Sequence, residues 1–209
     1  MTKKEKILQI KPIFNSVYVE ADCSLQYHYP LQLLIATQLA AQCTDARVNM
    51  VTPALFKRYP TVQDFADADI FELMDYIHST GFFRNKAKNI IGCAKRLVSH
   101  YGGKVPDNME DLLTLPGVGR KTANIIIGDI FRKPAIVIDT HAKRISYRLG
   151  LTKNTDPTKI EFDLIKIVPP AYSFTFCHQL VYHGRAICKS QRPLCDQCPV
   201  YHLCIRAGV

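Results

Sequence analysis

The sequence predicts an all-α fold of roughly ten short helices, and three observations carry that reading. Apolar residues recur at three- and four-residue spacing along most of the chain, the mark of helices that bury one face. Capping residues and Pro or Gly stops punctuate these stretches at short intervals. One segment, Pro134 to Val137, is short and apolar like a strand, but nothing elsewhere in the chain would pair with it.

Taken in order, residues 3 to 19 carry Ile7, Ile10, Phe14 and Val17 on one stripe, which Pro12 is expected to kink or split. Pro30 is suited to the first position of a second helix running to Gln42, apolar nearly all round and so expected at the centre of a helical domain. Thr44 or Asp45 can cap a helix through Tyr59, and Thr61 with Asp64 makes an N-terminal capping box. A break at Gly81 precedes a basic helix to Tyr101, with Lys86, Lys88, Lys95 and Arg96 along it and Gly102 and Gly103 as its stop. Asp107 opens a short helix to Thr114. The turn LPGVG then leads into a helix from Arg120 that buries Ala123, Ile126, Ile127 and Ile130, completing a helix-hairpin-helix. After Asp139 come a helix closed by Gly150 and two more over 157–168 and 171–186, separated by Pro169 and Pro170.

The chain has 209 residues with 27 Lys+Arg against 18 Asp+Glu, a net charge of +9 that favours a polyanionic partner, nucleic acid before an anionic membrane. The opening MTKKEKILQI lacks the apolar core of a signal peptide and no window is apolar enough to span a bilayer, so a cytoplasmic protein is expected. Eight cysteines without an export signal read as thiols or metal ligands rather than disulfides. Cys188, Cys195, Cys198 and Cys204 form a C-x6-C-x2-C-x5-C array, and four thiolates so spaced suit a tetrahedral zinc or an iron–sulfur cluster. Cys23, Cys43, Cys93 and Cys177 are scattered among apolar neighbours as small buried hydrophobes. Lys189 and Arg192 lie between the first two clustered cysteines, where a loop of fixed shape could grip phosphates.

Gly117 and Gly119 let the hairpin take conformations closed to other residues, so that its N–H groups converge on an anion beside a helix N-terminus. Lys121 falls in the first turn of that helix, where an ammonium is electrostatically disfavoured. Either it touches a phosphate, or it is an amine nucleophile, a role that the helix N-terminus, a nearby arginine and partial burial would favour. Asp139 lies eighteen residues further on. Alone it reads as a helix cap; paired with Lys121, it becomes the group to steer protons and stabilise a cationic sugar.

LPGVGRKTAN, then VIDTHAKR, then the four-cysteine array, together with AAQCTDARVN at 40–49, resemble the endonuclease III family of helix-hairpin-helix DNA glycosylases along nearly the whole chain. The resemblance implies two helical domains, a six-helix domain at 24–133 and an iron–sulfur domain formed by 1–23 and 134–209, with a [4Fe–4S] cluster on Cys188, Cys195, Cys198 and Cys204. By position Lys121 matches the family's Schiff-base lysine, Asp139 its catalytic aspartate and Gln42 the residue that fills the gap left by an extruded nucleotide. Phe82 aligns with the wedge into the opposite strand, where similar enzymes carry an aliphatic residue. Gly117, Val118, Gly119, Arg120, His141, Lys189 and Arg192 are the remaining expected DNA contacts. Adenine glycosylases lack the lysine and add a C-terminal domain, and neither feature fits here. The expectation is therefore a base-excision repair glycosylase with AP lyase activity, a monomer acting on double-stranded DNA with oxidised pyrimidines or abasic sites and without a membrane partner. The competing reading is a non-catalytic helix-hairpin-helix DNA-binding module, against which Lys121 and Asp139 argue.

Overall fold

A computed structural model describes all 209 residues. Its helices are α1 (Lys3–Val17), α2 (Pro30–Leu39), α3 (Asp45–Arg58), α4 (Val62–Ala66), α5 (Ile70–Ile77), α6 (Phe83–Tyr101), α7 (Met109–Leu113), α8 (Arg120–Ile125), α9 (Thr140–Arg148), α10 (Pro157–Ile165) and α11 (Pro170–Ala186). There is no strand; residues 134–137 have no regular structure, and the N–H groups of Ala135 and Val137 donate to Ser173 Oγ and Cys177 Sγ. No helix is long and apolar enough to cross a membrane. The chain divides into two compact units, Ser24–Phe131 and Met1–Cys23 with Arg132–Val209.

The Ser24–Phe131 unit is built on α2, whose residues Leu31 to Leu39 are all buried. The helix stops at Leu39, short of Gln42, because Ala40 and Ala41 turn the chain and Gln42 takes a left-handed φ of 54°. Thr44 caps α3, and the Thr61 hydroxyl and Asp64 carboxylate exchange hydrogen bonds with each other's backbone N–H at the start of α4. At α6, Gly102 and Gly103 take φ of 57° and 77° and return N–H bonds to Leu97 O, the left-handed stop expected of glycine. Asn108, rather than Asp107, caps α7: its side chain accepts from the N–H of Asp111 and donates to that residue's carboxylate, a reciprocal pair that Asp107 could not make in this register.

Helix α8 departs from the regular pattern. After Ile125 it widens into a π-turn over Ile126–Ile130, which buries Ile126, Ile127, Gly128 and Asp129 in succession and leaves Ile130 half-buried. Such single-turn bulges are rare, and a 3.6-residue reading cannot anticipate them.

In the other unit, α1 remains one helix through Pro12 because that residue faces solvent, where water can serve the carbonyl the proline leaves unbonded. Ile7, Ile10, Phe14 and Tyr18 pack with Phe176 and Leu180 of α11 and Ile145 of α9 in one core, and the Phe14 and Phe176 rings stack at 6.3 Å. Lys6 donates to Leu149 O at 2.6 Å, fixing the N-terminal helix to the end of α9.

Candidate functional site

The hairpin between α7 and α8 rests on α2 and α6. Gly117 has φ +76°, and a Cβ there would lie 2.7 Å from Gln38 Oε1 and 2.8 Å from Asn89 Cβ, so both conformation and space demand glycine. Val118 is buried and its N–H bonds Leu115 O at 3.1 Å. Gly119 corrects the expectation: at φ −101° and ψ 178° it is ordinary extended backbone with open space beside it, so this chain places no demand for glycine there. Gly92 on α6 leaves room for Pro116, whose ring would sit 3.3 Å from an added Cβ. Arg120 is half-buried and Lys121 exposed, both in the first turn of α8. The partial burial expected of Lys121 is therefore absent in the free chain, where its side chain is exposed.

Gln42, Phe82 and Gly117 line one cavity with Gln38, Asn85 and Lys86. Phe82 is 62% exposed and, like Gln42, left-handed, with φ 49°. Lys86 does not lie on the solvent face of α6 with the other basic residues. It is 5% exposed, its Nζ donates to Leu39 O and Thr80 O, each at 2.8 Å, and desolvation pulls its pKa down.

In the other unit, Asp139 caps α9, its Oδ1 accepting from the N–H of Ala142 at 2.7 Å. His141 is half-buried with its Nδ1 3.1 Å from Arg144 Nη2, and a Cβ at Gly184 of α11 would fall on that imidazole. Cys188, Cys195, Cys198 and Cys204 line a single cavity with apolar walls, and all four are free thiols. Burial pushes the Cys198 and Cys204 thiols up, and their neighbours' charge pushes them further. Four thiolates here would repel one another unless a cationic centre joined them, so the donor set fits a metal group ligated by sulfur alone. N–H donors already point at the sulfurs, from Arg148 Nη1 to Cys188 Sγ and from Arg206 N to Cys204 Sγ, both at 3.4 Å. Of the scattered cysteines, Cys93 and Cys177 are buried, with pKa values pushed up to about 12 mainly by desolvation, whereas Cys23 and Cys43 are half-buried.

Residues 35–170 match the model of the HhH-GPD superfamily of base excision DNA repair proteins, and residues 188–204, from the first clustered cysteine to the last, match the iron–sulfur binding domain of endonuclease III. The chain is 52% identical to the endonuclease III of Synechocystis over 97% of its own length and 93% of the relative's, and 42% identical to that of Bacillus subtilis over 91% and 87%. A solved structure of a trapped covalent intermediate between endonuclease III and DNA superposes with TM-score 0.92 at 40% identity, covering 99% of this chain and 97% of that one. This chain belongs to the endonuclease III family. As a member it is a DNA glycosylase of base-excision repair with a [4Fe–4S] cluster, which settles the choice that the cysteine spacing left open between zinc and iron–sulfur.

Two features of this endonuclease III family member escaped the sequence reading. Arg144 and Arg148, one turn apart on α9, hold the loop after Cys188 from behind. Arg144 donates to Cys188 O from Nε at 3.1 Å and Nη2 at 2.8 Å, and Arg148 donates to Lys189 O at 2.6 Å and Ser190 O at 3.0 Å. This clamp leaves Lys189 and Arg192 exposed, Arg192 in a left-handed turn with φ 49°. The available signal was position: Arg148 falls three residues after Ile145 on the buried stripe of α9, where an arginine needs partners. The second feature is His183. Its Nδ1 lies 2.7 Å from Tyr18 OH and its Nε2 3.8 Å from Cys198 Sγ, and burial, then Arg144, pulls its pKa down to about 4. Tyr18 is pushed up to about 12 by desolvation and by the nearby Cys198 and Cys188.

Proposed function

We propose that this glycosylase is bifunctional, removing oxidised pyrimidines from duplex DNA and then nicking the strand through Lys121. The exposed amine on the first turn of α8, directly after a hairpin fixed by Gly117, is the observation that carries the reading. The hairpin N–H groups and Arg120 hold a backbone phosphate, and the open space at Gly119 lets that phosphate approach the main chain. Gln42 fills the gap left by the extruded nucleotide and Phe82 wedges into the opposite strand, since a base inside the stack cannot be reached at C1′. Lys121 Nζ, as the free amine, attacks C1′. The C1′–N bond breaks, its electron pair leaves with the base, and a proton restores the base to neutrality. In the resulting N,O-aminal the C1′–O4′ bond breaks and O4′ takes a proton, leaving an imine that acidifies C2′, so that loss of a C2′ proton expels the 3′ phosphate by β-elimination. Asp139 accepts the lysine proton and stabilises positive charge on the sugar. Cys188, Cys195, Cys198 and Cys204 would hold the cluster, which supplies cross-linking of the C-terminal segment rather than a reaction step. Lys189 and Arg192 grip the DNA backbone, with His141 on the phosphate side, and the protein acts as a monomer on damaged or abasic duplex.

Lys121→Ala should abolish strand cleavage while retaining binding to an abasic duplex, because the hairpin N–H groups do not depend on that side chain. Borohydride should trap a covalent complex with the parent protein only. An alanine variant that still traps and cleaves would place the nucleophile elsewhere.

A further inference from the structure

Gln42 and Phe82 are the two non-glycine residues of the Ser24–Phe131 unit with left-handed backbones. That conformation is strained for a residue with a Cβ, and it survives where the surroundings over-determine it. The two positions are distant in sequence, yet one buried side chain serves both. Lys86 Nζ donates to Leu39 O, the carbonyl that ends α2 three residues before Gln42, and to Thr80 O, at the end of the short His78–Thr80 turn two residues before Phe82. Its backbone N–H bonds Phe82 O at 3.1 Å, the ordinary first bond of α6, which a change of the side chain leaves in place. The carbonyls at the end of a helix lack intrahelical partners and carry partial negative charge, so an ammonium is the natural group to join two of them.

We infer that Lys86 is a positioning residue that couples the two duplex-probing turns, so that Gln42 and Phe82 enter DNA as one body rather than independently. The inference rests on the assignment of those two residues proposed above. A role confined to stability fits the surroundings less well. The buried ammonium of Lys86 is held by two neutral carbonyls and not by a carboxylate. Burying a charge on those terms brings little net stability. What the arrangement does supply is a fixed distance between two turns that line one cavity.

The test is a double-mutant cycle read as the ratio of affinities for a duplex carrying a tetrahydrofuran abasic analogue and for the undamaged duplex. In the parent, Gln42→Ala and Phe82→Ala should each lower this ratio about tenfold, with a coupling between them of about fivefold or more. Lys86→Met should lower the ratio about tenfold by itself and remove the coupling, while affinity for undamaged duplex, set by phosphate contacts, stays within about twofold. Should the methionine variant lose its helicity, Lys86→Gln, whose shorter amide cannot reach both carbonyls at once, carries the same comparison. A folded Lys86 variant with the parent's ratio and coupling overturns the inference, as does failure of both variants to fold, which would make Lys86 a residue of the core alone. Alanine variants that leave the parent's ratio unchanged would instead overturn the reading of Gln42 and Phe82, and the Lys86 inference with it.

Discussion

Replacing Gly117 by alanine tests whether the hairpin is as tightly determined as its surroundings indicate. The residue sits at φ +76°, and holding alanine there costs about 1–2 kcal/mol. The new Cβ would also meet Gln38 Oε1 at 2.7 Å and Asn89 Cγ at 3.1 Å, which side-chain rotation can relieve, and Asn89 Cβ at 2.8 Å, which only a shift of the α6 backbone can relieve. Overpacking of that kind adds about 1–3 kcal/mol, for a total of about 2–5 kcal/mol. If the unit answers by displacing the hairpin, the proposed phosphate contact is lost and affinity for abasic-analogue duplex falls by about 30-fold or more. If it keeps the hairpin and bears the strain, the melting temperature falls by about 5 °C or more instead. Gly119→Ala is the control: with extended backbone and open space beside it, it should melt like the parent and lose only DNA affinity, because its Cβ enters the path of the phosphate. Parallel melting and titration of the two variants separates strain from contact. A Gly117→Ala protein that both melts and binds like the parent would refute the claim that this turn is fixed by α2 and α6.

Asp139→Asn should slow base release by about 10²–10⁴-fold while leaving stability unchanged, because asparagine caps a helix as well as aspartate does, whereas Asp139→Ala should also lose about 1 kcal/mol of stability; equal chemistry per folded molecule in both variants would reduce Asp139 to a cap. Replacing Lys189 and Arg192 together by alanine should weaken damaged and undamaged duplex alike and lower the salt slope of binding by about one to two units, and an unchanged slope would remove the loop from the interface. The purified protein should be yellow-brown, and Arg148→Met should bleach faster than the parent under a chelator, since the substitution removes a donor to Cys188 Sγ and the bonds to Lys189 O and Ser190 O; equal bleaching rates would show the clamp to be irrelevant to the cluster.

What could be read from the sequence follows the range of the interaction responsible. The Thr61–Asp64 box, the Gly102–Gly103 stop and the start of the apolar α2 at Pro30 are set by residues within a turn or two of each other, and they appear where the spacing puts them. The cysteine array could be read for a different reason: a set of metal-ligating thiols is rare enough that few arrangements share the spacing. Lys86 could not. On a helix that also carries Lys88, Lys95 and Arg96 it looks like one more solvated charge, and its burial depends on two carbonyls contributed by other elements. The π-turn after Ile125 and the Arg144–Arg148 clamp were hidden likewise, the first because four successive buried residues defeat a fixed period, the second because the carbonyls it holds lie some forty residues away. Gly119 errs in the opposite direction. Its pairing with Gly117 suggested a shared backbone requirement, whereas in this chain only Gly117 has one.

The segment from Cys188 to Cys204 shows why a cluster belongs in the fold of an enzyme whose proposed reaction does not use it. Only Val200 and Leu203 are buried along it, and its regular structure is two single turns, Cys195–Gln197 and Tyr201–Leu203. Two apolar side chains contribute a few kcal/mol by burial, less than the conformational entropy lost in ordering a segment of this length. The remainder must come from bonds that exist only in the folded state: the guanidinium clamp from α9 and the metal–thiolate bonds, which convert binding free energy into folding free energy. A loop ordered in this way presents Lys189 and Arg192 without an apolar core beneath them, so basic side chains can stand exposed at fixed spacing. It follows that disrupting the cluster should act first on the shape of this loop and on DNA affinity, while the hairpin that carries Lys121 keeps its conformation, since Gly117 is held by Gln38 and Asn89 of its own unit.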